Sequence, residues 1–176
     1  GENLTWTLDD SGTLTISGTG AMENYSAGTA PWEAHKENIT KVSIEEGVTS
    51  IGQYAFDNCA NLAEVSIADT VTSIGTSAFL GCTSLTQIAL PENLTTLDGN
   101  PFMYCFALEE IEIPAGVSSI DQMAFYMCTS LRSVTLHEGL EIIGSQAFAA
   151  CESLTEITIP ASVTSIGSSA FDHCWA

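Results

Sequence analysis

Positive charge is what this sequence lacks most. Lysine and arginine together contribute 3 residues against 22 aspartates and glutamates, which gives a formal net charge of −19 at pH 7. A protein that binds nucleic acid needs a basic surface to neutralise phosphates, and attraction to anionic lipid headgroups needs the same. The composition therefore argues against both classes and favours basic or cation-bridged partners.

Long hydrophobic runs are also missing. No apolar stretch approaches the roughly 20 residues that a membrane-spanning helix requires. The sequence shows no signal peptide and begins at Gly1, directly ahead of strand-like residues. We therefore expect no direct membrane insertion, and we expect any targeting segment to lie outside this sequence.

The residue groupings that carry catalysis or bind metals are scarce. No Ser–His–Asp set or pair of carboxylates stands out from the repeat background. His173 adjoins Cys174, but neighbours on a helix point about 100° apart and cannot share a proton. The cysteines occur singly, whereas zinc sites typically use close pairs. The sequence predicts a protein that is not an enzyme and has no cofactor.

What the sequence does have is a period of 23 residues. Its six cysteines fall 23 residues apart each time, and a phenylalanine precedes each of them by three residues. A disulfide framework has no reason to be periodic, whereas a core position of a solenoid does. We therefore expect one ladder of buried, unbonded thiols. The cysteines are Cys59, Cys82, Cys105, Cys128, Cys151 and Cys174.

Each repeat reads as two short strands and a turn or helix. Residues 65–67 alternate apolar and polar, which predicts a strand with one buried face. Residues 71–74 predict a second strand on another side of the coil. Ala78, Phe79 and Cys82 fit one or two helical turns with one buried face. The pattern predicts a β-rich α/β solenoid, a right-handed coil of six 23-residue repeats over residues 39–176.

The two ends of the sequence differ. Residues 3–8 and 13–17 alternate on either side of the turn residues 9–12, which predicts a β-hairpin. We expect residues 1–38 to be an N-terminal cap that covers the apolar end of the solenoid. At the other end Cys174, Trp175 and Ala176 complete the helical half of a sixth coil, and we expect the solenoid to be truncated there.

The repeat LTEITIPASVTSIGSSAFDHC resembles the BspA-like leucine-rich repeats of bacterial surface proteins. The segments NLTWTLDDSGTLTISGTGAM and APW resemble the N-terminal segment that often precedes those repeats, so the resemblance covers essentially the whole chain. It implies a leucine-rich-repeat fold and an extracellular or cell-surface protein that adheres to host matrix, other bacteria or surface ligands. It brings no shared catalytic motif.

Bulky apolar side chains gather beside the phenylalanine and cysteine columns of the third and fourth repeats. The equivalent positions elsewhere are mostly small or polar, as at Asn58 and Ala150. Methionine and aromatic residues together are typical of adaptable contact surfaces. Local repacking around the irregular turn at residues 98–101 is the alternative. The residues of this candidate binding patch are Met103, Tyr104, Phe106, Met123, Tyr126 and Met127.

The exposed positions of the first strand form a second candidate surface, because they would line a regular sheet. This face is acidic and suits a basic partner or a cation. The preferred interpretation is a solvated polar face, because aromatic anchors are missing. The acidic residues are Glu64, Glu110, Glu112 and Glu156.

Two functions fit these features. The first is an adhesion or ligand-binding module with a protein or glycan partner on a host or neighbouring cell. The second is a passive structural spacer that presents other domains of a larger surface protein. A concentrated apolar patch on the surface favours binding, whereas a uniformly polar surface favours the spacer.

Overall fold

The 23-residue period of the sequence forms the coils of a solenoid with two strand sides and one turn side. The computed structural model describes residues 1–174. The expected truncation at Trp175 and Ala176 therefore lies outside the described residues. We number the coils 1 to 6 by the phenylalanine that each contributes to the interior. These are Phe56, Phe79, Phe102, Phe125, Phe148 and Phe171.

All strands are short, as expected for a coil that turns twice within 23 residues. The bounds are β1 Leu4–Leu8, β2 Thr13–Gly18, β3 Gly20–Ala21, β4 Lys41–Ile44, β5 Val48–Ile51, β6 Glu64–Ile67, β7 Ser73–Ile74, β8 Thr96–Leu97, β9 Glu110–Glu112, β10 Ser119–Ile120, β11 Ser133–Thr135, β12 Ile142–Ile143 and β13 Ser165–Ile166. One 3-10 helix, Glu33–Asn38, precedes β4.

The first strand side contains β4, β6, β9 and β11. Strands β4 and β6 pair in parallel with Val42 opposite Val65 and Ile44 opposite Ile67, a step of one repeat. Strands β9 and β11 pair in the same way in coils 4 and 5. Alternation sends Val42 inward and leaves Lys41 exposed, so the first predicted strand is confirmed.

The second strand side is a separate set of parallel pairs. Strands β5, β7 and β8 form one sheet together with β3, and β10, β12 and β13 form another. Each pair between two repeats again joins residues 23 apart, as in Ile51 with Ile74 and Ile120 with Ile143. The predicted second strand is therefore confirmed.

The turn side corrects the expectation of helical turns. The described residues contain no α-helix, so the solenoid is a β-solenoid rather than an α/β one. Some backbone N–H groups of this side donate to a carbonyl three residues back, as Cys59 does to Phe56, and others donate to the next coil. Phe56 N–H reaches the Ala78 carbonyl at 2.8 Å and Asn58 N–H reaches that of Leu80 at 2.6 Å. Coil-to-coil bonding therefore replaces the helical pattern on the third side too.

The interior is a column of stacked rings. The six phenylalanines lie with neighbouring centroids 5.2–5.5 Å apart and with nearly parallel planes. The first five are fully buried, whereas Phe171 in the last coil is only partly buried. Every coil therefore places the same aromatic ring in the interior, and stacking of the rings fixes the register of each coil against the next.

Residues 1–38 lie against coil 1. Strands β1 and β2 form the predicted antiparallel pair, and β2 then pairs in parallel with β4, with Leu14 opposite Val42. The indole ring of Trp32 stacks on Phe56 at 5.4 Å, and its N–H donates to the Ala55 carbonyl at 2.7 Å. Trp32 thus extends the phenylalanine column by one ring, a role that the sequence pattern did not reveal.

Coil 3 interrupts both strand sides. Within residues 1–174 no strand pairing joins β6 to coil 3, and the single bridge from Gln87 to Glu110 is all that joins coil 3 to β9. On the second side, β8 pairs with β7 but not with β10. The turn side continues through the same coils, because Phe79 N–H still reaches the Pro101 carbonyl and Phe102 N–H that of Ala124.

The break on the second side coincides with a change from glycine to aspartate. At the bend after this side, a Cβ on Gly75 would come within 2.8 Å of the Gln53 backbone nitrogen in the preceding coil. Asp98 and Asp121 occupy this position in coils 3 and 4, and each therefore carries the Cβ that glycine avoids. The Gly99 N–H donates to the Asp121 carboxylate at 2.9 Å.

Candidate functional site

The structure brings the aromatic members of the candidate patch together on the turn side of coils 3 and 4. The Tyr104 ring lies 5.9 Å from that of Phe106 and 5.9 Å from that of Tyr126. Phe106 is 39% exposed and is one of the most exposed large apolar residues described. The tyrosines and the three methionines Met103, Met123 and Met127 are half-buried.

The backbone beneath this patch is left-handed at three of its residues. Tyr104 has φ of 64°, Met123 of 57° and Met127 of 59°. Tyr104 and Met127 lie directly before a cysteine, and the left-handed residue at this position in the other coils is Asn58, Gly81, Ala150 or His173. A left-handed conformation costs a residue with a Cβ about 1–2 kcal/mol, and asparagine and glycine tolerate it best. Bulky side chains at such positions therefore do not serve local stability.

The acidic residues of the first strand side border an open groove of about 540 Å³. Its floor is apolar and comes from Val65, Ile88, Ala89 and Ile111. Glu64, Glu110 and Glu112 line its edges, and Glu156 is not among the lining residues. The groove lies where coil 3 leaves the sheet interrupted.

Several of the groove carboxylates already have partners. Lys41 pairs with Glu64 at 2.7 Å, His137 contacts Glu112 at 2.8 Å, and Arg132 pairs with the neighbouring Glu109. Glu110 has no ion pair among residues 1–174. The sequence identified the acidic rim but not the apolar floor, because Ile88 and Ala89 look like ordinary members of their columns.

The cysteine ladder is unbonded, as predicted, but its last member is only half-buried. Cys59 to Cys151 are buried free thiols, whereas Cys174 in coil 6 is partly exposed. Burial raises the pKa of Cys105 to about 12, so its thiol stays protonated. From Cys82 onward each thiol donates to the phenylalanine carbonyl of the preceding coil, as Cys128 does to Phe102 at 3.2 Å. The cysteines therefore hold the coils together and are poor nucleophiles.

Two further features of the described chain bear on function. Within residues 1–174, no three histidine, cysteine, aspartate or glutamate side chains come together as a metal site. Among these same residues, no helix is long and apolar enough to cross a membrane.

Known proteins share the repeat that builds these surfaces. The BspA type leucine rich repeat region matches residues 34–100 and 49–176 in six copies. The chain belongs to this BspA-type leucine-rich repeat family. No curated protein matches the chain.

Solved structures of bacterial leucine-rich repeat proteins have the same fold. A leucine rich cell surface protein from Faecalibacterium prausnitzii is 33% identical with a TM-score of 0.77, over 99% of this chain and 51% of that one. A leucine-rich repeat protein from Bacteroides ovatus is 28% identical with a TM-score of 0.76, over 98% and 50% of the two chains. The leucine rich repeat protein of T. pallidum is 28% identical with a TM-score of 0.74, over 94% and 84%. The chain thus spans about half the length of the F. prausnitzii protein.

Proposed function

We propose that this BspA-type chain is an adhesion module of an extracellular bacterial surface protein. It binds a protein partner through the candidate patch on coils 3 and 4. The observation that carries the proposal is the left-handed backbone under Tyr104 and Met127, directly before a cysteine. Other coils place Asn58, Gly81, Ala150 or His173 there, so bulky apolar side chains at this position are explained better by what they contact than by backbone stability.

The composition of the patch supports a protein partner. Tyrosine, phenylalanine and methionine are enriched in protein interfaces, and clustered aromatic residues dominate their binding energy. The Tyr104 ring contacts both Tyr126 and the exposed Phe106, and the three rings form such a cluster. A glycan partner would also stack on these rings, so the experiment includes both ligand classes.

The test compares the double variant Tyr104→Ser with Tyr126→Ser against wild-type protein. Binding is measured to a panel of immobilised matrix proteins and to a glycan array. We expect at least about a tenfold loss of affinity, or 1.4 kcal/mol, for whichever ligand binds the wild type. Tyr54→Ser is the matched control, because Tyr54 is a half-buried, left-handed tyrosine on the turn side of coil 1. It should bind as the wild type does.

A second candidate function is the capture of a basic segment in the acidic groove. The observation that favours it is the apolar floor between Glu64, Glu110 and Glu112. Binding there should weaken steeply with salt and should be lost in Glu110→Lys with Glu112→Lys. Binding that survives both double variants would exclude both sites, and a chain that binds nothing on either panel would be the passive spacer.

We also propose that residues 1–38 cap the solenoid, which begins at residue 39. Support comes from Trp32 on Phe56 and from the pairing of β2 with β4, which together cover coil 1. Trp32→Ala should destabilise the chain by about 3–5 kcal/mol if this surface is needed to close the core. An unchanged melting temperature would contradict the capping role.

A further inference from the structure

A cavity of about 220 Å³ lies between the N-terminal strand pair and the segment before coil 1. Trp6 of β1, Tyr25 and Trp32 contribute aromatic rings to its wall, and Glu23 contributes a carboxylate. None of these residues follows the 23-residue period, so the repeat pattern gives no structural reason for this grouping. The cavity is separate from the patch on coils 3 and 4.

Two of the rings, Trp6 and Tyr25, pack against the third, Trp32. Trp32 is buried and fixed, with one face on Phe56 and its N–H bonded to Ala55. The Trp6 ring stands at 74° to that of Trp32 with centroids 6.2 Å apart. The Tyr25 ring stands at 81° to it at 5.7 Å. Trp6 and Tyr25 are half-buried, so both line the cavity while remaining in reach of a ligand.

Glu23 supplies the charge of the site. Glu23 lines the cavity beside Tyr25. Burial raises the pKa of the Tyr25 hydroxyl, and the Glu23 carboxylate raises it further. Among residues 1–174, no lysine, arginine or histidine forms an ion pair with Glu23. A carboxylate without a cation therefore borders a cavity with three aromatic rings.

Aromatic rings attract cations through their electron-rich faces, and the attraction is largest for cations that lose little hydration. An alkylated ammonium group meets this condition, because its methyl groups also gain from leaving water. A metal ion would find only one carboxylate here. We propose that the cavity of Trp6, Tyr25 and Trp32 binds an alkylated ammonium group with Glu23 as its counter-ion.

The test uses choline and 3,3-dimethylbutan-1-ol, a neutral alcohol of the same shape. Millimolar choline is titrated with the protein, and the N-methyl proton resonance is followed by NMR. We expect that resonance to move upfield, because protons over aromatic faces are shielded. The alcohol should bind at least about tenfold more weakly, which corresponds to 1.4 kcal/mol. No upfield shift, or equal binding of the two compounds, would overturn the proposal.

Variants locate the site. Glu23→Gln removes the charge of an exposed residue and should weaken choline binding by about tenfold while leaving alcohol binding unchanged. Trp6→Leu should abolish the upfield shift, with circular dichroism confirming its fold. Glu152→Gln is the charge-matched control in coil 5 and should behave as wild type. Retention of full choline binding by Glu23→Gln would overturn the assignment of the counter-ion.

The source of the ammonium group is settled by two further ligands. Phosphatidylcholine vesicles present the group on a membrane surface, and a peptide with trimethyllysine presents it on a protein. Free choline should displace the protein from either ligand. The Glu23→Gln substitution should weaken this competition as it weakens the binding of choline alone. Binding of a presented group that choline does not displace would overturn the shared site.

Discussion

The turn side and the strand sides of this solenoid share one sequence period but differ in continuity. Hydrogen bonds of 2.8–3.0 Å from each phenylalanine N–H to the next coil run without a gap from Phe56 to Phe148. Both strand sides are interrupted at coil 3. The turn side carries the motif of alanine or proline, phenylalanine and cysteine in all six repeats, whereas the strand-side columns vary. The backbone hydrogen bonds between coils are thus continuous on the side where the buried side chains are the same in every repeat.

The difference at coils 3 and 4 has a local cause. Asp98 faces Gly75 of coil 2 and keeps its backbone bond to the Ile74 carbonyl at 2.9 Å. Asp121 faces Asp98, so a second Cβ and a second carboxylate meet at the closest approach of the coils. There the Asp121 carboxylate accepts the Gly99 N–H. We attribute the lack of pairing between β8 and β10 to the two successive aspartates in this column.

The largest loss of stability should follow the removal of one phenylalanine ring from the continuous turn side. Phe125→Ala removes a fully buried ring that stacks between Phe102 and Phe148 at 5.4 and 5.2 Å. We expect a loss of about 3–5 kcal/mol in the free energy of unfolding, because the cavity opens in the middle of the column. Urea unfolding measures this. An unchanged midpoint would show that the ring column is not what holds the coils.

Substitution of one cysteine on the same side should cause a smaller loss of stability. Cys128→Ala removes a buried thiol and its bond to the Phe102 carbonyl, and should cost about 1–3 kcal/mol. Thiol titration of the native wild type at neutral pH should find the five buried cysteines unreactive, since their raised pKa values keep them protonated. Cys174 should react first. Six thiols should appear after unfolding, and fewer than five would contradict the ladder.

Amide hydrogen exchange compares the two kinds of side directly. The N–H groups of Phe102 and Phe125 bond to the next coil, whereas residues 87–89 lie in the interrupted strand side. We expect exchange at Ile88 and Ala89 to be at least about tenfold faster, because local opening there breaks fewer bonds. Equal protection on both sides would mean that the interruption has no energetic consequence.

The smallest effect concerns the aspartate pair. Burial and the nearby Asp121 raise the pKa of Asp98 in the folded protein. The folded state therefore holds this proton more tightly than the unfolded state, and stability falls as pH rises through the folded pKa. Asp98→Asn should stabilise the chain at pH 7 by less than about 1 kcal/mol, since the carboxylate is largely solvated.

The gain from Asp98→Asn should vanish in acid, below the ordinary pKa of an aspartate, where both proteins are uncharged at this position. Thermal unfolding across that pH range measures the difference. Asp69→Asn, at an exposed aspartate of coil 2, is the control and should show no such dependence. A stabilisation that is independent of pH would indicate a steric rather than an electrostatic origin.

The sequence predicted the period, the buried columns, the second strand of each coil and the first strand of coils 1, 2, 4 and 5, because these depend on residue spacing alone. It did not predict the left-handed residues, since the position before cysteine accepts Asn58, Gly81, Tyr104 and His173 alike. The same residues explain why the expected helical turns are absent. The interruption at coil 3 depends on Cβ contacts between coils, which no single repeat reveals.

The candidate sites were predictable to different degrees. Tyr104 and Tyr126 are equivalent to mostly small or polar residues in the other repeats, so comparison of repeats was enough to single them out. Whether they bind a partner stays a prediction. The cavity of Trp6, Tyr25 and Trp32 was not predictable, because its residues come from three non-periodic segments that only the fold brings together.

The continuous turn-side ladder has a mechanical consequence. A rod whose bonds are unbroken along one edge and cut along the other two bends more easily at the cut than elsewhere. We therefore expect the rod to bend more readily at coil 3 than elsewhere, about the continuous phenylalanine column. Bending at coil 3 would open or close the groove beside Ile88 while keeping Tyr104 and Tyr126 at a fixed spacing on the turn side.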